Sequence, residues 1–313
     1  MFQGILMKKC IICNSISVDE NFKCKDCGFS PKKIDQIVSF LNVSDLSNEQ
    51  FDPATYKEFA ETEVKNFWYV SRPKLISIVI KKYLKDAHNF LEIGCGTGYV
   101  LYNMNKKLPN LELYGADVYV EGLEFVKKRL RGNIKLYQFD AKNIPFENHF
   151  DLIGAFDVLE HIDDDKSVLH ELYKALKPGG IILLMVPQYM LLWSAWDEIN
   201  RHKRRYSRGQ LAKITEQVGF QIARDTSFVF FLLPFIYLKR LFEKGKKKIR
   251  PIEENNINYL VNKLFSAIMF FERILIMIGL RFPFGSSSLV VARKPYTDIK
   301  DNIDRKITRK NDE

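Results

Sequence analysis

Three groups of side chains in this sequence have the types and spacing that chemistry requires. Cys10, Cys13, Cys24 and Cys27 form two C-x-x-C pairs separated by ten residues, with Gly28 just after the second. Four thiolates at this spacing can close a tetrahedron around zinc and leave no position open, which makes the site structural rather than catalytic. Two disulfides are the competing use of the same residues, and a reducing compartment disfavours them. The second group is the run Phe90 to Val100, a short apolar strand leading into a turn in which Gly94, Gly96 and Gly98 alternate. A tight strand-to-helix reversal needs backbone angles and close ligand approach that a Cβ would block, so this is a candidate loop for a nucleotide cofactor. Such a loop is weak evidence alone and gains weight from acidic residues at fixed offsets downstream.

The third group is a series of acids, histidines and arginines placed at the ends of later apolar runs. Asp117 closes Leu111 to Asp117 about twenty residues on, where a carboxylate can accept both hydroxyls of a ribose. Asp140 and Ala141 come after the run Ile134 to Phe139, where a carboxylate can accept from an adenine amine. Phe156 and Asp157 end Phe150 to Phe156 and lead into Val158-Leu159-Glu160-His161. Beyond Ile181 to Val186, the stretch Pro187 to Ser207 sets Trp193, Trp196 and Asp197 beside Arg201, His202, Lys203, Arg204, Arg205 and Tyr206. Two Trp next to a basic cluster offer an apolar wall and a fork for carboxylate or phosphate oxygens. A solvated basic turn with the Trp side chains packed beneath it is the competing reading.

These side chains need a scaffold of alternating strands and helices. The apolar runs are short, while the segments between them carry helical signals, and Lys177-Pro178-Gly179-Gly180 reads as a helix end that opens the fifth strand. That alternation predicts an α/β fold with a doubly wound, mostly parallel sheet. Ligands bind at the carboxyl ends of such strands, so the loop after the fifth strand lies over the site. Ser207 is the expected cap of a helix to Val218, and the sixth strand runs from Gly219-Phe220 to about Phe228.

From about Phe90 to Arg224 the chain resembles the class I S-adenosylmethionine-dependent methyltransferases. The resemblance rests on Glu-x-Gly-x-Gly-x-Gly at Glu92 to Gly98, the ribose acid Asp117, the pair Asp140-Ala141, the segment Phe156 to His161, and Leu176-Lys177-Pro178-Gly179-Gly180. A dinucleotide dehydrogenase more often carries its third glycine one residue later, where this chain has Tyr99. The resemblance implies a Rossmann-like seven-stranded sheet and S-adenosylmethionine as cofactor. It assigns Glu92, Gly94, Gly96, Gly98, Asp117, Asp140, Ala141, Phe156 and Asp157 to cofactor binding. It also implies an N-terminal helix over the cofactor mouth, which makes Arg72 a substrate-contact candidate, whereas Trp68 and Tyr69 read as packing residues.

The resulting domain plan has a zinc ribbon at 1–35, a linker and helices at 36–85, the methyltransferase domain at 86–295 and a disordered tail at 296–313. Within the linker, a strand is expected near Ile37 to Leu41 and a helix from Asp52-Pro53 through Val64 to Tyr69. Met7 offers a second start. Cys95, inside the glycine loop, reads as a small buried residue rather than a nucleophile.

The 313 residues carry a net charge of +10 and 46% hydrophobic content, enough for one large domain with attachments and unlike a disordered or collagenous chain. No uninterrupted apolar run reaches about 18 residues, and the first residues lack signal-peptide character, so a cytoplasmic location is expected. In the implied fold, a short hairpin joins strands six and seven. Here the seventh strand is Ser287 to Arg293, leaving an insertion of nearly sixty residues at 228–283 that emerges on the site's side. It holds Phe228 to Leu238, a basic block through Arg250, and an apolar helix from Tyr259 to Leu280 interrupted by Glu272-Arg273. Such a segment suits the headgroup layer of an anionic membrane, and a hairpin packing on its own enzyme or across a homodimer is the alternative.

Methyl transfer needs positioning first and a base second. His161 is the first base candidate because it sits at the mouth and titrates near neutrality, and His202 and Asp197 come next. Arg72, Trp196, Arg204, Arg205 and Tyr206 are the substrate-contact candidates. Asp157, Glu160 and His161 read as helix-start caps rather than as ligands of a divalent ion, and no catalytic metal is expected. The expected acceptor is amphipathic and anionic, such as a lipid-linked saccharide or a quinone precursor, methylated on oxygen. Two rivals stand beside it. A ribbon with net positive charge also resembles certain RNA methyltransferases, but Asp157 to Glu160 occupies the place of their amine-methylating motif. A cofactor-binding scaffold without turnover is the other.

Overall fold

The computed structural model describes residues 8–41, 53–83, 86–132, 134–243 and 257–296. A single mixed sheet carries the chain. Its strands are β1 (Lys32–Ile34), β2 (Ile37–Ser39), β3 (Asn89–Ile93), β4 (Glu112–Asp117), β5 (Lys135–Gln138), β6 (Phe150–Phe156), β7 (Leu176–Pro187), β8 (Gln221–Phe228) and β9 (Ser287–Arg293). The spatial order is β1-β2-β5-β4-β3-β6-β7-β9-β8. β5, β4, β3, β6 and β7 run parallel, and β9 lies antiparallel between β7 and β8. The central strands β3 and β6 are buried along nearly their whole length because helices cover both sheet faces.

The sheet has nine strands rather than seven. Asp35 at φ 52 turns the chain between β1 and β2, and β2 then joins β5 in parallel register, Ile37 opposite Leu136. These three-residue strands are too short to show a period, so only β2 was visible, as the expected strand near Ile37. The helix ends at Ala175, and the fifth strand opens at Leu176 rather than Ile181, so Lys177 to Gly180 lie inside β7, with a register irregularity opposite Phe150 to Leu152 and Gly179 at φ 79.

The helices are α1 (Pro53–Thr62), α2 (Phe67–Tyr83), α3 (Tyr99–Lys107), α4 (Val120–Leu130), α5 (Asp165–Ala175), α6 (Ala195–Ile199), α7 (Gln210–Gln217), α8 (Leu233–Glu243) and α9 (Tyr259–Met277). The helix expected to run from Asp52-Pro53 to Tyr69 is two helices. Glu63 turns inward at the break, where Thr97 Oγ1 donates to it at 2.7 Å and Arg129 pairs with it at 2.6 Å, and Asn66 Oδ1 accepts from Trp68 N to start α2. α7 starts after Gly209 rather than at Ser207, whose backbone N–H donates instead to Gln210 Oε1.

Two apolar cores lie on opposite sheet faces. One gathers Leu75 and Ile76 of α2, Leu101 of α3, Val126 of α4 and Met269 and Ile276 of α9. The other gathers Leu169 and Leu172 of α5, Leu211 of α7, and Phe22 and Phe40 from the N-terminal segment. Phe22 meets Phe40, Phe146 and Tyr137 edge-on at 5.1, 5.5 and 5.8 Å, and the buried Lys9 Nζ lies 2.7 Å from Glu171. The cysteine segment is therefore packed on the α5 side of the sheet.

Between β8 and β9 the insertion forms α8 and α9, and the basic block from Lys244 to Arg250 lies outside the described residues. Glu272, fully buried, accepts from the backbone N–H groups of Phe230 and Phe231 and ties α9 to the start of α8. The outer sides of both helices are apolar and exposed, with Phe235, Leu238, Phe242, Leu260 and Leu264 each more than half accessible. Among the described residues, no helix is long and apolar enough to cross a membrane.

Candidate active site

β3 delivers its last residue, Ile93, to a turn in which Gly94, Gly96 and Gly98 all have positive φ, at 63, 50 and 72°. The three glycines have different reasons. A Cβ on Gly94 would lie 2.5 Å from Val158, and one on Gly98 would lie 2.9 Å from Val126, so both permit close packing of the loop. Gly98 accordingly does not line the cavity, contrary to the expectation that all three contact the cofactor. A Cβ on Gly96 would meet nothing within 4 Å, and this glycine leaves the cavity wall open to a ligand. Cys95 is buried, and burial pushes its thiol well above the usual range, as expected of a packing residue.

Asp117, at the end of β4, holds the loop from the side. Its Oδ2 accepts from Gly96 N at 2.9 Å and its Oδ1 from Tyr119 N at 3.0 Å. Burial raises its pKa despite these donors, and each oxygen keeps a further lone pair for a hydroxyl. Together these groups line a cavity of about 910 Å³ at the carboxyl ends of the strands, closed on one side by α1 and α2. Asp140, Ala141 and Phe156 line it as well.

Glu92, only 3% exposed, contributes a buried carboxylate to the same wall, and its Oε2 has no hydrogen-bond partner. Burial raises its pKa to about 8, an effect partly offset by Arg72. Arg72 reaches from α2 to pair with Asp157, a residue at φ 58 where β6 ends, and leaves its buried Nε unpartnered on the cavity wall. Trp196 also lines the cavity, edge-on to Phe59 at 6.2 Å.

On the far side of the mouth the structure sorts the loop residues. His161 and His202 line the cavity with ring centroids 4.7 Å apart at 84°. Burial, with His202 beside it, lowers the pKa of His161 to about 4, so the ring is neutral at physiological pH and a weaker base than its type suggests. Asp197 does not reach the cavity. It is fully buried, accepts from Ser194 N at 2.9 Å within a capping box, meets His202 Nδ1 at 2.8 Å and takes both Arg205 Nε and Nη2, at 2.7 and 3.0 Å. Those donors hold its pKa at about 2 against the upward push of burial. Asp197 is therefore an anchor for His202 and the loop, not a base. Arg205 lines the cavity but is committed to Asp197.

Arg204 and Tyr206 turn away from the cavity. Tyr206 is fully buried and its hydroxyl donates to Asp165 Oδ2 at 2.7 Å, while Arg204 donates to the same carboxylate at 3.2 Å and to the Asp163 carbonyl at 2.8 Å. Both fix the loop to α5, which corrects their assignment as substrate contacts.

Some site residues gave no sequence signal. Glu63 sits in a polar stretch, and only the fold brings it to Thr97 and Arg129. Glu160 read as a helix-start cap, yet it is completely buried on the cavity wall and neither carboxylate oxygen meets a hydrogen-bond partner. Burial, reinforced by Asp157, pushes its pKa well above the usual carboxylate range. From the insertion, Ile236, Lys239 and Arg240 of α8 and Phe265 of α9 complete the lining.

The four cysteines cluster away from this cavity. Cys10 and Cys27 sulfurs lie 3.6 Å apart, as do those of Cys13 and Cys24, and all four fall within 4.8 Å of one another. Sulfurs bound about 2.3 Å from one tetrahedral zinc sit roughly 3.8 Å apart, so the donor set fits that ion.

Residues 61–224, more than half of the chain, match the model of a family described as a methyltransferase domain. The chain belongs to this family. Over 105 residues the methyltransferase is 35% identical to a ubiquinone/menaquinone biosynthesis C-methyltransferase of Desulfotalea psychrophila, covering 33% of this chain and 43% of that one. Over 111 residues it is 29% identical to a malonyl-acyl-carrier-protein O-methyltransferase of Priestia megaterium, covering 35% and 40%. The chain thus spans less than half the length of these two relatives. In fold it is similar to phosphoethanolamine N-methyltransferase 2 of Haemonchus contortus, solved with S-adenosyl-L-methionine, with a TM-score of 0.53, 19% identity and coverage of 80% of this chain and 59% of that one.

The residues present fit S-adenosylmethionine. Asp117 offers acceptors for ribose hydroxyls, Asp140 an acceptor for the adenine amine, Gly96 an open wall, and Glu92 an unpartnered buried carboxylate for the cationic end. Arg72 Nε offers a donor for the cofactor's carboxylate.

Proposed function

We propose that this methyltransferase moves a methyl group from S-adenosylmethionine to an oxygen of an amphipathic, anionic acceptor, such as a lipid-linked saccharide or a quinone precursor, met at a membrane surface. The observation that carries the reading is the double use of the insertion. Ile236, Lys239 and Phe265 line the cavity, while Phe235, Leu238, Phe242, Leu260 and Leu264 on the same two helices expose an apolar face to solvent. An apolar face of this extent marks an interaction surface, and cations beside it favour an anionic bilayer. An acceptor anchored in that bilayer then reaches the cavity along α8 without leaving the lipid.

The cofactor's sulfonium supplies a methyl carbon already activated for displacement. The chain's residues bind and orient around it: Asp117, Glu92 and Arg72 fix the cofactor, α1 and α2 exclude water, and Lys239 on the cavity wall faces an anionic acceptor. Oxygen is the acceptor atom in this reading because Glu160, His161 and His202 gather polar groups at the mouth, where an acceptor hydroxyl can be oriented toward the methyl carbon. The two relatives differ here, one being named a C-methyltransferase and the other an O-methyltransferase. In the ribbon, the four cysteines hold a structural zinc that orders the segment packed against Tyr137 and Phe146.

Vesicle sedimentation tests the membrane part. The full chain should sediment with vesicles containing an anionic phospholipid, bind neutral vesicles weakly, and lose binding when Phe242 and Leu264 are both changed to Asp. Equal sedimentation of that double variant and the unmodified chain would refute the assignment of this face.

A further inference from the structure

We propose that Glu160, His161 and His202 bind a divalent transition-metal ion at the mouth of the cavity, in addition to the ion of the cysteine ribbon. One oxygen of Glu160 and one nitrogen from each histidine fall within 4.8 Å of one another, and His202 Nε2 lies 4.0 Å from Glu160 Oε1. Ligand atoms bound about 2.1 Å from a common ion sit roughly 3 to 3.5 Å apart. The three side chains therefore need to draw in by about an ångström, within reach of small χ rotations.

The surroundings point to a ligand rather than to a simple hydrogen-bonded cluster. Glu160 is completely buried, yet neither of its oxygens meets a hydrogen-bond partner, and 4.0 Å to His202 is too long for a bond. A buried carboxylate left in this way is costly unless a cation or proton completes it. His202 has an outer partner of the kind that orients a metal-bound imidazole: its Nδ1 is held by Asp197 at 2.8 Å, which leaves Nε2 facing Glu160, while the His161 ring stands edge-on to it with centroids 4.7 Å apart. Asp197 is itself fixed by Arg205 and Ser194, so the His202 ring is locked by a partner that is in turn locked.

Two imidazoles and one carboxylate select zinc, iron(II), cobalt(II) or manganese(II) over magnesium or calcium, and three protein ligands leave positions open toward the cavity. An acceptor oxygen bound there would be held beside the cofactor pocket and made more acidic. This deepens the reading of the cavity as an acceptor site, but metal content is measured without turnover, so the two can fail separately.

The test is cobalt(II) loading of the purified full chain, read by metal content per chain and by visible absorption. Two ions per chain are expected, one with intense thiolate-to-cobalt bands from the cysteine site and one with only the weak bands of nitrogen and oxygen ligands. Glu160→Gln and His202→Asn should each reduce the content to one ion while the thiolate bands persist, which also reports that the ribbon remains folded. A single ion with only the thiolate signature in the unmodified chain overturns the proposal, whatever the variants do. A second ion that both variants retain also overturns it.

Discussion

Changing Glu92 to Gln should stabilise the free protein while weakening its hold on the cofactor. The carboxyl has a pKa of about 8 in the folded chain because it is fully buried, against about 4.3 when unfolded. The folded state therefore keeps a proton that the unfolded chain releases. Stability is fully present below about pH 4.3 and is lost as pH rises toward 8, the reverse of an ion-paired acid. Linkage between those two values gives a cost of about 1 kcal/mol at pH 5 and about 4 kcal/mol at pH 7. Gln removes the titration. Urea unfolding of both proteins without cofactor should show the variant's advantage growing by about 3 kcal/mol between pH 5 and pH 7, over a constant offset from burying the amide in place of the acid. The same variant should bind S-adenosylmethionine at least about tenfold more weakly, since a charge-assisted contact is worth roughly 1.5–3 kcal/mol. A stability difference that does not change with pH would refute the argument that Glu92 is a buried acid awaiting a cation.

Asp117→Ala should weaken S-adenosylmethionine binding by about a hundredfold or more in calorimetric titration, because two hydroxyl contacts to a carboxylate are lost together. Tyr206→Phe should lower unfolding stability by about 1–2 kcal/mol through the unpaired Asp165, and leave KM for cofactor and acceptor unchanged. A raised acceptor KM in that variant would return Tyr206 to the binding site.

The sheet core was legible because its signals are local and periodic. The seven expected strands ended where β3 to β9 end, to within a few residues, most of them marked by a short apolar run, whereas the edge strand β8 (Gln221–Phe228) is largely polar and was marked by Gly219-Phe220 before it. The β1–β2 extension was only half legible: three residues form no pattern, and the pairing of β2 with β5 is decided by packing around Phe22 and Phe40. On the site, residues whose role depends on strand ends were legible, with Asp117, Asp140 and His161 placed at the cavity as their positions implied. Residues that depend on which way a loop turns were not. The sequence offered Asp197, Arg204, Arg205 and Tyr206 as one polar cluster, and only the fold shows that Asp165 and Asp197 divide the other three side chains between two internal anchors. Glu160 was hidden for a related reason. A carboxylate two residues into a helical turn is usually a cap, and its burial comes from the loop of Lys203, whose N–H donates to the Glu160 carbonyl at 2.7 Å.

Methyl transfer to a lipid-anchored acceptor is measured by tracing label from methyl-labelled S-adenosylmethionine, mixed with the purified chain and an extract of cells lacking it, into solvent-extractable, aqueous, RNA and protein fractions. Label in the solvent-extractable fraction, abolished by Asp117→Ala and reduced by the Phe242 and Leu264 double change, is the expected result. Label confined to RNA or to the aqueous fraction would contradict the membrane-facing acceptor, and cofactor binding with no label in any fraction would favour a scaffold or an acceptor absent from the extract.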